Sequence, residues 1–161
     1  MLKSLLICMA VGVALSACGG SSAQKSGPAK DSVASQEQAA ADEAAVKTLT
    51  LDGFRTRVMA MADGEKPKFL GKRPCVIDFY ATWCGPCRQM APTFASLASR
   101  FSGKVDFYRV DVDSEEELAG MFGVQSIPMF VYINANGEVN SSLGAIAEAE
   151  MEANINNFCL K

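Results

Sequence analysis

Two cysteines, Cys84 and Cys87, are separated by two residues in the stretch YATWCGPCR. Such a pair can ligate a metal, staple a loop or shuttle electrons. A structural zinc would need two further ligands, and the chain offers neither a second CxxC nor any histidine. Covalent haem attachment asks for histidine directly after the second cysteine, where Arg88 stands. The lack of histidine also removes His-ligated haem and Ser–His or Cys–His catalysis from this chain. A structural staple and a redox pair remain, and the elements around the pair favour the second.

Upstream, Cys75 to Ala81 is a nearly continuous apolar run, the pattern of a central strand covered on both faces. Downstream, Cys84 to Phe101 has helical periodicity. The pair therefore sits where a strand ends and a helix begins, beside unpaired N–H groups and the positive end of the helix dipole. A thiolate is favoured there, which makes Cys84 the nucleophile. Pro86 suits the first helical turn, where its missing N–H costs nothing, and Gly85 allows a tight turn into it. The spacing serves a disulfide and two thiols equally well.

The remaining pattern supplies the scaffold. Val46 to Leu51 alternates like a half-buried strand. Asp52 is placed to cap a helix running to about Ala62, with Phe54, Val58, Met59 and Met61 as its apolar positions. Residues 62–74, broken by Gly64, Pro67, Gly71 and Pro74, read as a loop. Val105 to Val112 and Met129 to Ile133 are two more apolar runs, with a helix from Ser114 to Phe122 between them. The acidic Ser114-Glu115-Glu116-Glu117 reads as a helix N-terminus and not as a metal site. Asn136-Gly137 is a hairpin turn into Glu138 to Ser141, and a closing helix runs from Ala147 to Phe158. This order predicts an α/β domain with a mixed sheet.

WCGPC resembles the active site of thioredoxins. The likeness extends to the strand carrying Asp78, to Pro92 in the next helix, to Ile127-Pro128, and to NGEV at Asn136 to Val139. It runs from Val76 to the end without an evident insertion, although the loop between Met61 and Pro74 is longer than is typical of the cytoplasmic members. The resemblance implies the thioredoxin fold, a mixed sheet of about five strands flanked by about four helices. It also implies a thiol–disulfide oxidoreductase without cofactor or metal, acting on protein disulfides. Cys84 would attack the substrate disulfide; Cys87, more buried, would resolve the mixed disulfide and close a Cys84–Cys87 bond. Asp78, costly in an apolar strand unless it has a task, matches the aspartate that assists proton transfer at the resolving cysteine. The alternative is a core carboxylate paired with Arg109. Arg109 stands where the family usually has lysine, and since arginine stays protonated its help would be electrostatic.

Pro128 matches the family's cis-proline, with the Ile127 backbone expected to pair with an extended substrate chain. Trp83, Gly85 and Pro86 would shape the groove, and Gly144 would line it. Two departures stand out. Met129 replaces a common threonine, which points to a different substrate or partner preference. Tyr80 replaces a frequent tryptophan, from which little chemical consequence is expected. Cys75 and Cys159 read as small apolar residues, placed by the family pattern on opposite faces of the sheet. The Gly-Pro spacer resembles that of the reducing members, so a reductase or isomerase is expected, supplied with electrons by a membrane-embedded thiol donor. The rivals are a dedicated reductase of cytochrome c maturation, whose usual insertion is missing here, and a non-catalytic peptide-binding or chaperone module. A monomer is the family default.

The N-terminus bears on location. Met1 to Ala17 opens with Lys3 and continues as LLICMAVGVALSA, an apolar run too short to span a bilayer but suited to export. Leu15-Ser16-Ala17-Cys18 resembles a bacterial lipobox, in which cleavage leaves Cys18 to carry the lipid. Residues 18–45, with hardly a large apolar side chain, then form a tether with a typical reach of about 30 Å. The domain spans 46–161. The expected product is an exported, membrane-anchored lipoprotein facing the periplasm or the cell exterior. A formal charge of −3, more acidic once Lys3 leaves, gives no support to nucleic-acid binding.

Overall fold

The computed structural model describes residues 45–60 and 66–161. The expected export segment, Cys18, the tether as far as residue 44, and the end of the first predicted helix at Met61 and Ala62 lie outside them.

Val46–Thr48 forms β1, and Leu51–Arg57 forms α1. Thr50, not Asp52, caps that helix: its hydroxyl accepts the Gly53 N–H at 3.1 Å. From across the fold, Glu115 accepts the Leu51 N–H at 2.8 Å, while Asp52 lies within the first turn. The helix is also shorter than its apolar periodicity predicts. Met59–Ala60 becomes β2 and pairs antiparallel with β3, Lys68–Phe69, inside the stretch expected to be a loop. Phe69 packs against the cluster that buries Val58 and Met59. Strand pairing thus satisfies the backbone and seats another ring, which further helical turns would not do.

The later elements fall close to their predicted places. They are β4 (Cys75–Tyr80), α2 (Gly85–Arg100), β5 (Asp106–Asp111), α3 (Glu116–Met121), β6 (Met129–Ile133) and β7 (Val139–Leu143). Last comes α4 (Glu148–Asn154), widening into a π turn at Ile155–Cys159. The turn between β6 and β7 carries Gly137 at φ 80°, and Asn134 Oδ1 accepts the N–H groups of Asn136 and Glu138.

The main sheet has the order β1-β5-β4-β6-β7. β1, β5 and β4 run parallel, while β6 is antiparallel to both β4 and β7. Among the described residues this is the predicted mixed five-stranded sheet with four helices. β4 lies at its centre and is buried on both faces. Cys75, Ile77 and Phe79 join Phe54, Val58 and Leu118 on the α1/α3 side. Val76 joins Phe94, Leu97 and Met151 on the α2/α4 side. Phe94 packs edge-on to Phe107 at 5.1 Å and stacks on Phe130 at 5.9 Å, holding α2 to the sheet. Cys75 and Cys159 are free thiols in these two clusters, on opposite faces. With both faces packed, the end of β4 is a fixed platform from which α2 departs.

Candidate active site

The sheet ladder continues right up to this platform, where the Val112 N–H donates to the Tyr80 carbonyl at 2.9 Å. Ala81, Thr82 and Trp83 then turn the chain, and Cys84 becomes the N-cap of α2. Its sulfur accepts the Cys87 N–H at 3.2 Å, so a helix N–H already points at the atom that would carry charge as a thiolate. Pro86 occupies the exposed first turn, as its ring geometry favours. Cys84 and Cys87 are joined in a disulfide, their Cα atoms 5.3 Å apart. Cys87 is fully buried and Cys84 is 4 % exposed. Both pack with Ala81, and Tyr80, Val112 and Ile127 close around them.

Ile127 belongs to the segment opposite the pair. Its bond to Pro128 is cis, and the Pro128 carbonyl accepts the Gly144 N–H at 2.8 Å, which ties Gly144 to the same segment. Among the described residues, no backbone group pairs with the N–H or C=O of Ile127. The structure therefore brings Ile127 against the cysteines and links Pro128 and Gly144 behind it. Trp83 stands on the rim, 66 % exposed, with its indole N–H donated to Asp113 Oδ2 at 2.8 Å. Asp113 went unnoticed in the sequence; its only signal was an acidic residue just past the end of the second apolar run. Arg88 reaches back to the Thr82 carbonyl at 3.0 Å, bracing the same turn.

Asp78 lies inside the α2 face of β4 and is 1 % exposed. β-Sheet register sets Arg109 beside it, and Arg109 Nε donates to Oδ2 at 3.0 Å. Oδ1 is buried and has no partner among the described residues. Burial pushes the Asp78 carboxyl up to about 6, and the Arg109 charge and hydrogen bond restrain it from going further. Desolvation thus outweighs the ion pair. The ion pair with Arg109 expected from the sequence is present, and Oδ1 is left over beside it. The guanidinium lies over the Tyr80 ring, 3.8 Å from its centre, a contact the sequence reading passed over.

The comparisons with known proteins agree with one another. The Thioredoxin family description matches residues 45–157. A thioredoxin of Borreliella burgdorferi is 37% identical over 111 residues, spanning 69% of this chain and 95% of its own. Thioredoxin-1 of Drosophila melanogaster is 47% identical over 96 residues, 60% of this chain and 81% of its own. Among solved structures, Malassezia sympodialis thioredoxin superposes with a TM-score of 0.57 at 31% identity, covering 70% of this chain and 89% of that one.

Proposed function

The chain belongs to the thioredoxin family and is a thiol–disulfide oxidoreductase of that type, and we propose that it reduces or isomerises protein disulfides outside the cytoplasm. The observation that carries the chemistry is the Cys84–Cys87 disulfide at the head of α2, with the Ile127 backbone alongside, unpaired among the described residues. In the reduced enzyme the Cys84 thiolate, favoured by the helix end, attacks one sulfur of a substrate disulfide. A mixed disulfide forms and the second substrate sulfur leaves as a thiolate. Cys87 gives its proton to Asp78 and attacks Cys84 Sγ. The enzyme disulfide closes, and the first substrate sulfur leaves as a thiolate. Two electrons pass from the dithiol to the substrate.

An extended substrate chain would lie along Ile127 and borrow its free N–H and C=O. Trp83, Gly85 and Pro86 would border the groove on one side, with Pro128 and Gly144 on the other. The leader, the lipobox-like Leu15-Ser16-Ala17-Cys18 and the polar tether support a lipid anchor on the outer side of a membrane, and a monomer is the family default. Its electrons would then come from a membrane-embedded thiol donor.

The reduction potential of the Cys84–Cys87 pair tests the direction. A value near about −270 mV fits a reductase, whereas about −120 mV would make the chain an oxidant and sink the proposal. Cys87→Ser should trap mixed disulfides with substrate proteins, and their recovery tests the order of attack. Metabolic labelling with radioactive palmitate that Cys18→Ser does not abolish would refute the anchor.

A further inference from the structure

Three side chains on one face of the sheet form a chain of contacts leading away from the redox pair. Tyr80 packs against the cluster of Ala81, Cys84 and Cys87. The Arg109 guanidinium lies flat over the Tyr80 ring at 3.8 Å, and Arg109 Nε holds Asp78 Oδ2 at 3.0 Å. Arg109 keeps 27% of its side chain in solvent, so it has an alternative to this buried contact. A ring face attracts a guanidinium through its quadrupole and more strongly where water is excluded, which biases Arg109 toward the carboxylate. The single Nε contact also leaves Asp78 Oδ1 without a partner among the described residues.

We propose that Tyr80 is a positioning residue for the redox cycle: its ring seats the Arg109 guanidinium so that Asp78 is held through Oδ2 alone and keeps Oδ1 free for the Cys87 proton. The proposal rests on the reading of Asp78 as that proton's acceptor. The other groups near Asp78 do not provide the seat. β6 sets Phe130 beside Asp78. On β5, Asp111 stands opposite Tyr80, but its Oδ1 is engaged by the Asp113 N–H. α2 contributes Cys84 and Cys87 at its head. Arg109 is the one cation in contact with the carboxylate among the described residues, and Tyr80 is the ring beneath it.

Without the ring, the guanidinium gains freedom to turn to solvent, and the positive charge leaves Oδ2. The protonated carboxyl is then favoured. The test is a carbon-13 NMR titration of the Asp78 carboxyl in the full-length disulfide form, beside the pH profile of protein-disulfide reduction by the same variants. Tyr80→Leu should raise the Asp78 midpoint by about 0.5–1 unit, and the acid limb of turnover should move with it. Tyr80→Phe keeps the ring face and should hold the midpoint within about 0.2 unit of the parent. An unmoved midpoint in Tyr80→Leu overturns the proposal, as does a shift in Tyr80→Phe as large as that in Tyr80→Leu. Should Tyr80→Leu fail to fold, Tyr80→Met takes its place. In an Arg109→Gln background the same Tyr80 change should give no further shift; a full shift there would also overturn the proposal. Asp78→Asn separates the two ideas. If it leaves turnover and its acid limb unchanged, the proton-acceptor reading fails, while the NMR midpoints still decide whether Tyr80 seats Arg109.

Discussion

Cys84 and Cys87 carry the same side chain as Cys75 and Cys159, yet the fold gives the two pairs opposite chemistry. The first pair stands at the head of α2, joined in a disulfide, with a helix N–H aimed at the outer sulfur. The second is split between the two faces of the sheet, each thiol packed among apolar side chains. Burial pushes the Cys159 thiol up to about 12 and the Cys75 thiol higher still, so neither forms a thiolate at neutral pH. A thiol becomes a nucleophile by meeting an N–H donor and a dipole, and becomes core filler by losing water without either.

Asp78 lies between these extremes. It is as buried as the inert thiols, but Arg109 keeps its titration within reach of neutral pH. One cation thereby separates a carboxyl that titrates within reach of neutral pH from thiols locked in their neutral form.

The contrast can be broken most directly by removing the nucleophile. Cys84→Ser should reduce protein-disulfide turnover at least about 10³-fold, while Cys75→Ala and Cys159→Ala should stay within about twofold of the parent. Loss of turnover in either alanine variant would end the distinction. Alkylation sharpens it without mutation. In the folded, reduced chain at pH 7, iodoacetamide should modify Cys84 at least about 100-fold faster than Cys75 or Cys159. Mass spectrometry should find the latter two labelled only after denaturation.

Asp78 gives a third, smaller effect. Its folded value of about 6 lies above its ordinary 3.8, so the folded state prefers the protonated form. That contribution to stability is complete below about pH 4 and is lost as pH rises through about 6. Asp78→Asn should therefore stabilise the chain at pH 7 by about 1–2 kcal/mol, less than the full linkage of about 3 kcal/mol because Arg109 loses its partner. At pH 4 the gain should vanish, which denaturant unfolding at the two pH values checks. The smallest effect concerns the inert pair. Cys75→Ala should cost only about 1 kcal/mol, the loss of one buried methylene-sized group, in the same unfolding assay.

Much of the fold was legible because it depends on local pattern. β4 announced itself by a continuous apolar run and α2 by its periodicity and Pro86. The β6–β7 hairpin was marked by Asn136-Gly137. The readings that went wrong concern contacts between distant residues. Thr50 caps α1 in place of Asp52 at a helix start that Glu115 also serves from across the fold. α1 stops early because Phe69 brings a partner strand to Met59 and Ala60. Neither event leaves a trace in the periodicity of residues 51–62.

The sequence by itself determined the CxxC spacing, the strand-to-helix junction at which it stands, and the placement of Asp78 in a central strand. Each follows from spacing, composition and the chain geometry within a few residues. Only the tertiary structure decided which partners those groups meet. Trp83 finds Asp113, thirty residues on. Tyr80 meets Arg109 because β4 and β5 lie side by side in one register. Such pairings depend on how strands align across long loops, and a register shift of one residue would turn Arg109 to the other face of the sheet.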